Sequence, residues 1–325
     1  MKTNAIRVHK LGGPEEMILE QVEVAAPKEN EVIIKQNAIG LNFIDTYFRS
    51  GLYPATLPTP IGMEAAGIIE KLGPGISEFK VGDRVAYASA PLGSYSEFRT
   101  FPITNLVKIP DDISDDLAAA IMLKGMTAEY LIRRTFKVEE GQTVLFHATA
   151  GGVGLIACQW LKAIGATVIG TVGSHEKAEL AKANGCDHTI LYKEENFADR
   201  VKEITNGAGV PVVYDSVGKD TALQSLDCLS PLGLLVLFGN SSGNAPAIEP
   251  GLLATKGSLY VTRPTLFNYN DTREKLMESA NQVFNMIRNG KVSIKIGAKY
   301  ELKNAVQAHK DLESRKTSGC IILRP

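Results

Sequence analysis

Val144-Leu145-Phe146-His147-Ala148-Thr149-Ala150-Gly151-Gly152-Val153-Gly154 runs from a short apolar strand, through a glycine-rich turn, into a helix. The helix is read from Val153, Ala157, Trp160, Leu161 and Ile164, which recur on one face until Gly165 stops the pattern. The turn has the register G-x-G-x-x-G with Thr149 in the first glycine place. Gly151 lets the backbone approach a pyrophosphate, Gly154 lets the helix pack closely on the strand, and the helix N-terminus offers N–H groups to an anion. A dinucleotide is therefore the expected ligand, held by Gly151, Gly152 and Val153.

Outward from this turn the chain alternates strand and helix. Val168 to Val172, His188 to Leu191, Val212 to Tyr214, Leu234 to Phe238 and Leu259 to Thr262 read as further strands, and Ser174 caps a helix that ends at Asn184-Gly185. Six strands separated mostly by helix-period stretches predict an α/β fold with a doubly wound parallel sheet. An NAD site commonly carries Asp or Glu after the second strand, about 20 residues beyond the turn. Here that place reads Gly173-Ser174-His175-Glu176-Lys177. Without the acid there is room for a 2′-phosphate, and Ser174 and Lys177 can meet its charge. The expected cofactor is NADPH.

Before residue 126 the rhythm is different. Glu31 to Lys35, Gly62 to Leu72 and Val81 to Val85 read as short strands between turns, which predicts a β-rich, barrel-like domain. After Pro264 a long helix is expected through Leu276, Ala280, Val283, Phe284 and Ile287 to Gly290, then a short helix from Lys303 to Leu312 and the strand Cys320 to Leu323. The expected division is residues 1–125 and 263–325 for a substrate domain and 126–262 for the nucleotide domain. A length of 325 residues fits two domains at about 150 each.

Thirty-five Lys and Arg against 36 Asp and Glu leave a net charge of −1, which argues against nucleic acid as a partner. No apolar run approaches the roughly 20 residues of a membrane span, and no apolar segment follows Met1 as in a signal peptide. Cys158, Cys186, Cys228 and Cys320 lie singly, as buried apolar residues of a protein in a reducing cytoplasm would.

Five segments, Asn42-Phe43-Ile44-Asp45-Thr46-Tyr47, Gly62-Met63-Glu64-Ala65-Ala66-Gly67, Gly82-Asp83-Arg84-Val85, Ala150 to Gly154 and Phe238-Gly239-Asn240-Ser241-Ser242-Gly243, occur in this order. Together they resemble the zeta-crystallin-type quinone oxidoreductases, zinc-free members of the medium-chain dehydrogenases, and most nearly the bacterial NADPH:quinone reductases. The resemblance implies a GroES-like substrate domain, a Rossmann domain and an active site in the cleft between them. Zinc-dependent relatives carry Cys at the position of Asn42 and His at that of Met63, so no zinc set is expected here.

The expected activity is reduction of a quinone by hydride or electron transfer from NADPH, without zinc or flavin. Such chemistry needs orientation, a dry pocket and hydrogen-bond donors for the oxygen that gains charge. Asn42 can donate its amide to substrate or cofactor, and Tyr47 and Tyr53 can donate phenolic hydrogens to a quinone oxygen. Either ring can instead serve packing, with Tyr53 shaping the pocket mouth. Asp45 can hold a ribose or a neighbouring side chain, or cap a helix. The resemblance further implies Tyr130 and Tyr192 on the adenosine side, Phe238, Gly239, Asn240 and Ser241 under the nicotinamide, and Arg263 and Arg315 at the edges. Thr149, where the family has Ala, is expected to add a hydroxyl near the phosphate. A homodimer is expected through the strand Gly257 to Thr262. The alternatives are an NADPH-dependent enone or alkenal double-bond reductase and a non-catalytic NADPH- or RNA-binding protein of crystallin type.

Overall fold

A computed structural model describes all 325 residues. The chain forms two compact units: Met1–Lys124 with Asn270–Phe284 and Ile294–Pro325, and Gly125–Tyr269 with Asn285–Ser293.

The chain opens with β1 (Lys2–Val8), β2 (Met17–Glu23), β3 (Glu31–Leu41), α1 (Phe43–Ser50), β4 (Thr59–Pro60), β5 (Glu64–Leu72), β6 (Arg84–Ala88), β7 (Phe98–Pro102), β8 (Val107–Lys108) and α2 (Asp115–Tyr130). The helix α2 was not expected among the strands of this region. Its Ala118-Ala119-Ala120-Ile121-Met122 run is buried on every side, so it shows no amphipathic period that would mark it as a helix. The strand expected at Val81 starts instead at Arg84, because Gly82 takes a turn conformation at φ +91°.

In the second unit, β9 (Thr143–Phe146), α3 (Gly152–Ile164), β10 (Thr167–Val172), α4 (His175–Ala183), β11 (His188–Leu191), α5 (Phe197–Ile204), β12 (Val210–Asp215), α6 (Ala222–Ser225), β13 (Leu229–Leu237), α7 (Pro250–Thr255), β14 (Tyr260–Thr262) and α8 (Leu266–Tyr269) alternate. The sheet order is β11-β10-β9-β12-β13-β14, and every pair is parallel. This is the doubly wound Rossmann arrangement, with its switch point between β9 and β12. The strands bury apolar residues on both faces, as Val144, Leu145, Val168, Ile169, Val212 and Val213 illustrate.

The chain ends with α9 (Arg273–Arg288), β15 (Ile296–Glu301), α10 (Ala305–Glu313) and β16 (Cys320–Arg324). In the first unit β16 pairs antiparallel with β3, Ile321 opposite Leu41, in a sheet ordered β15-β16-β3-β5-β6-β8 with β7 also on β3. The long helix expected after Pro264 runs from Arg273 to Arg288 and contains the whole Leu276 to Ile287 pattern, with the short α8 between Pro264 and its start. The second unit extends to Tyr269 rather than stopping at 262. Tyr269 stacks on Tyr130 at 4.5 Å, and its carbonyl accepts from Arg134 at 2.7 Å, so this segment is held by its own unit.

Candidate active site

In the second unit the glycine turn leaves β9 with Ala148 at φ +57°, a left-handed residue that reverses the chain sharply. A Cβ at Gly154 would lie 2.4 Å from the Ala148 carbonyl oxygen and 2.6 Å from the Thr149 Cα, so only glycine permits this approach of α3 to the turn. A Cβ at Gly151 would meet only the Ala148 oxygen, at 3.2 Å. The space beyond the α3 N-terminus is therefore open. The first N–H of α3 known to bond back is that of Leu155, onto Gly151, so the amides ahead of it face outward.

Thr149 departs from expectation. It is fully buried, and its hydroxyl turns onto the Thr171 carbonyl at 3.4 Å rather than toward a phosphate, because its side chain fills the space left by Gly170 in β10.

At the ends of β10 and β11, Gly173, Ser174 and Tyr192 come together. A Cβ on Gly173 would stand 2.9 Å from the Tyr192 hydroxyl. The Ser174 Oγ accepts from the Lys177 amide at 3.4 Å and caps α4, a use that leaves the hydroxyl hydrogen available to donate. Lys177 is half-buried in the first turn of that helix. Beyond β13, Phe238 packs on Phe146 with ring centroids 5.6 Å apart, while the Ser241 amide donates to the Ser216 carbonyl at 3.1 Å. Gly239 is required there, since a Cβ would lie 2.6 Å from that carbonyl. Asn240 is buried. Asp215 ties the neighbouring loop down by accepting from the Val217 and Gly218 amides at 2.8 and 3.0 Å. Tyr130 is 2% exposed beneath Tyr269, and Arg263 is exposed.

In the first unit Asn42 and Asp45 form a reciprocal cap of α1, with the Asn42 amide donating to Asp45 Oδ2 at 2.9 Å. Asp45 has no exposed surface, so the structure makes it the helix cap and not a ribose ligand. The Asn42 side chain donates to Glu64 Oε2 at 2.8 Å. The same oxygen takes the Lys124 ammonium at 3.3 Å, and Oε1 takes the Leu123 amide at 2.6 Å. Gly40 lies opposite Glu64 in the sheet, and a Cβ there would come within 2.1 Å of this carboxylate. Burial, the largest single influence, would lower the Lys124 pKa, but the charge and hydrogen bond of the facing Glu64 carboxylate, joined by Cys320 and Asp45, together outweigh it and hold the ammonium above its ordinary value. Tyr47 and Tyr53 meet edge to face at 5.2 Å, Tyr47 buried and Tyr53 half-buried. Arg315 is exposed just past α10, at φ +59°.

Sequence reasoning did not assign Glu64 to the support of Asn42. Its signal was present as a glycine, Gly40, inside an apolar strand, which marks a close approach. No group of three or more His, Cys, Asp or Glu side chains is placed to hold a metal ion. All four cysteines are free and buried.

A β-rich unit joined to a parallel sheet with a phosphate-type glycine turn defines a nucleotide-dependent dehydrogenase or reductase of the medium-chain class. Family models agree: a zinc-binding dehydrogenase model matches residues 152–282, and an alcohol dehydrogenase GroES-like domain model matches residues 28–111. A quinone oxidoreductase from Pseudomonas aeruginosa is 53% identical, across 97% of both chains. The crystal structure of Escherichia coli quinone oxidoreductase complexed with NADPH is 50% identical, covers 99% of this chain and 100% of its own, and superposes with a TM-score of 0.97. A 2-haloacrylate reductase from a Burkholderia species is 45% identical over 98% of both chains. The chain belongs to the quinone oxidoreductase family.

Proposed function

We propose that this chain reduces quinones with NADPH. The observation that carries the reading is the cofactor cradle of the second unit. The α3 amides open outward past Gly151, and β10 ends in Gly173-Ser174 with no carboxylate at that position. These residues fit a dinucleotide with a 2′-phosphate. Gly151, Gly152 and Val153 would hold the pyrophosphate, and Ser174 and Lys177 the 2′-phosphate. Tyr130 and Tyr192 would flank the adenosine, Phe238 to Ser241 the nicotinamide, and Arg263 and Arg315 the edges. NADPH supplies, when bound, the two reducing equivalents of its nicotinamide. In the first unit Tyr47 and Tyr53 would donate hydrogen bonds to the oxygen that gains charge, while Asn42, whose amide hydrogens go to Glu64 and the Gly40 carbonyl, would help orient the quinone.

A steady-state panel of NADPH with ortho-quinones, para-quinones, enones and 2-haloacrylate tests the reading. Quinones should be the faster acceptors, and a clear preference for activated double bonds would reject it. Lys177→Ala should weaken NADPH binding by about 1.5–3 kcal/mol, the range of a charge-assisted hydrogen bond, and leave NADH nearly unchanged. Equal losses for both in a titration would reject the 2′-phosphate assignment.

We further propose a homodimer that works in the cytosol. The strand β14 is the edge of the parallel sheet and pairs only with β13, while Tyr260 on it is 60% exposed. Two-fold pairing of this edge would satisfy its open backbone groups. Light scattering should return twice the 35.1 kDa chain mass, and a single chain mass at micromolar concentration would refute the pairing. No helix is long and apolar enough to cross a membrane, and the four free thiols suit a reducing compartment.

A further inference from the structure

Asp45, Tyr95, His309 and Arg49 form one buried chain of hydrogen bonds across the first unit. Arg49 Nη1 lies 2.9 Å from His309 Nδ1, His309 Nε2 lies 3.0 Å from the Tyr95 hydroxyl, and that hydroxyl lies 3.0 Å from Asp45 Oδ2. The direction of every bond is set by its ends. A guanidinium only donates, so His309 Nδ1 accepts and the imidazole proton sits on Nε2. Nε2 then donates to Tyr95, which leaves the phenolic hydrogen for Asp45. Arg49 is anchored at the other end by two bonds to Glu313, at 2.9 and 2.7 Å. Burial, reinforced by Arg49, drives the His309 pKa down to about 3, so this ring stays neutral.

Asp45 Oδ1 is buried and has no hydrogen-bond partner. The Asn42 amide and the Tyr95 hydroxyl both go to Oδ2. A proton on Oδ1 would find no acceptor, and it would remove the charge that strengthens both bonds to Oδ2. The same carboxylate closes the cap of α1, the helix that carries Tyr47 and has Asn42 as its N-cap.

We propose that Asp45, Tyr95 and His309 are positioning residues that lock α1, with Asn42 and Tyr47, in its working arrangement, and that proton uptake at Asp45 Oδ1 loosens it. This rests on the reading that Asn42 and Tyr47 serve quinone reduction. Loss of hydration on burial pushes the Asp45 pKa up to about 7, against the opposing pull of the Asn42 amide, the Tyr95 hydroxyl and Lys124, with Glu64 adding repulsion. Arg49, His309 and Glu313 are the remaining titratable groups of the chain. Because the folded carboxyl lies above its ordinary 3.8, the fold binds this proton more tightly than the unfolded chain does. Its contribution to stability is complete below about 3.8 and is lost as pH rises through about 7. The working form is thus the less stable one.

The test is kcat with para-benzoquinone at saturating NADPH, followed against pH beside an infrared titration of the intact protein. Wild type should lose about tenfold between roughly pH 8 and pH 6, as a single group titrating midway requires. A carboxylic acid band should grow with the same midpoint. Asp45→Asn should abolish both the band and the acid limb. Tyr95→Phe, which deletes a donor to the ionised form, should move the midpoint to higher pH. An acid limb that survives Asp45→Asn, or a midpoint unmoved by Tyr95→Phe, would overturn the relay. Should wild type reduce no quinone at any pH, the functional reading fails. The infrared band then decides the Asp45 titration alone, and its absence would overturn the relay on independent grounds.

Discussion

Lys124→Met is expected to destabilise the first unit by about 3–5 kcal/mol, the cost of leaving one member of a buried ion pair alone. Glu64 is fully buried and Lys124 is 6% exposed, so water replaces little of the lost attraction. After the substitution the carboxylate keeps only neutral donors, the Leu123 amide and the Asn42 side chain. Neutral partners recover only part of the desolvation cost of the carboxylate. Adding Glu64→Gln should restore most of the stability, since a neutral amide needs no counter-charge. Hydrogen exchange of the β3 and β5 amides reads the effect. A single variant that costs less than about 1 kcal/mol, the value of an exposed pair, would show that the ion pair carries little of the fold.

Gly154→Val should raise the NADPH dissociation constant at least a hundredfold, about 2.7 kcal/mol. The atoms its Cβ would strike, the Ala148 oxygen and the Thr149 Cα, are backbone, so a side-chain rotation cannot relieve the contact. The N-terminus of α3 must move away from the turn, and the amides proposed to hold the pyrophosphate move with it. Overpacking of this kind also costs about 1–3 kcal/mol of stability. Gly251→Ala is the control, because a Cβ at that helical glycine meets nothing within 4 Å. It should leave NADPH binding unchanged. Equal binding by the Gly154 variant in a fluorescence titration would remove this turn from the cofactor site.

The alternation from Thr143 to Thr262 is written locally. A strand buried on both faces is a short apolar run, an amphipathic helix shows a three-to-four period, and Ser174, Gly165 and Gly185 punctuate the joins. The glycine turn could be placed for the same reason, since its requirement for a missing Cβ arises from residues five or six positions away. The segments that carry the family resemblance, Asn42 to Tyr47 and Phe238 to Gly243 among them, are likewise short and contiguous.

Where a side chain spends its polar atoms is a different matter. Asp45 reads equally well as a ribose ligand or a cap until Tyr95 and His309 arrive from elsewhere in the chain. Lys124 finds Glu64 from 60 residues away, and the Thr149 hydroxyl turns inward because Gly170 leaves room for it. The helix α2 hides for a related reason, since burial on all sides erases the period that would reveal it. Local sequence therefore determined the Rossmann sheet and its glycine turn, and it supplied the residues proposed for the cofactor. The tertiary structure alone decided which polar groups remain for ligands and which are consumed inside. A local period records only which face is buried, whereas a buried charge or hydroxyl must be satisfied by whatever partner the completed fold brings within about 3 Å.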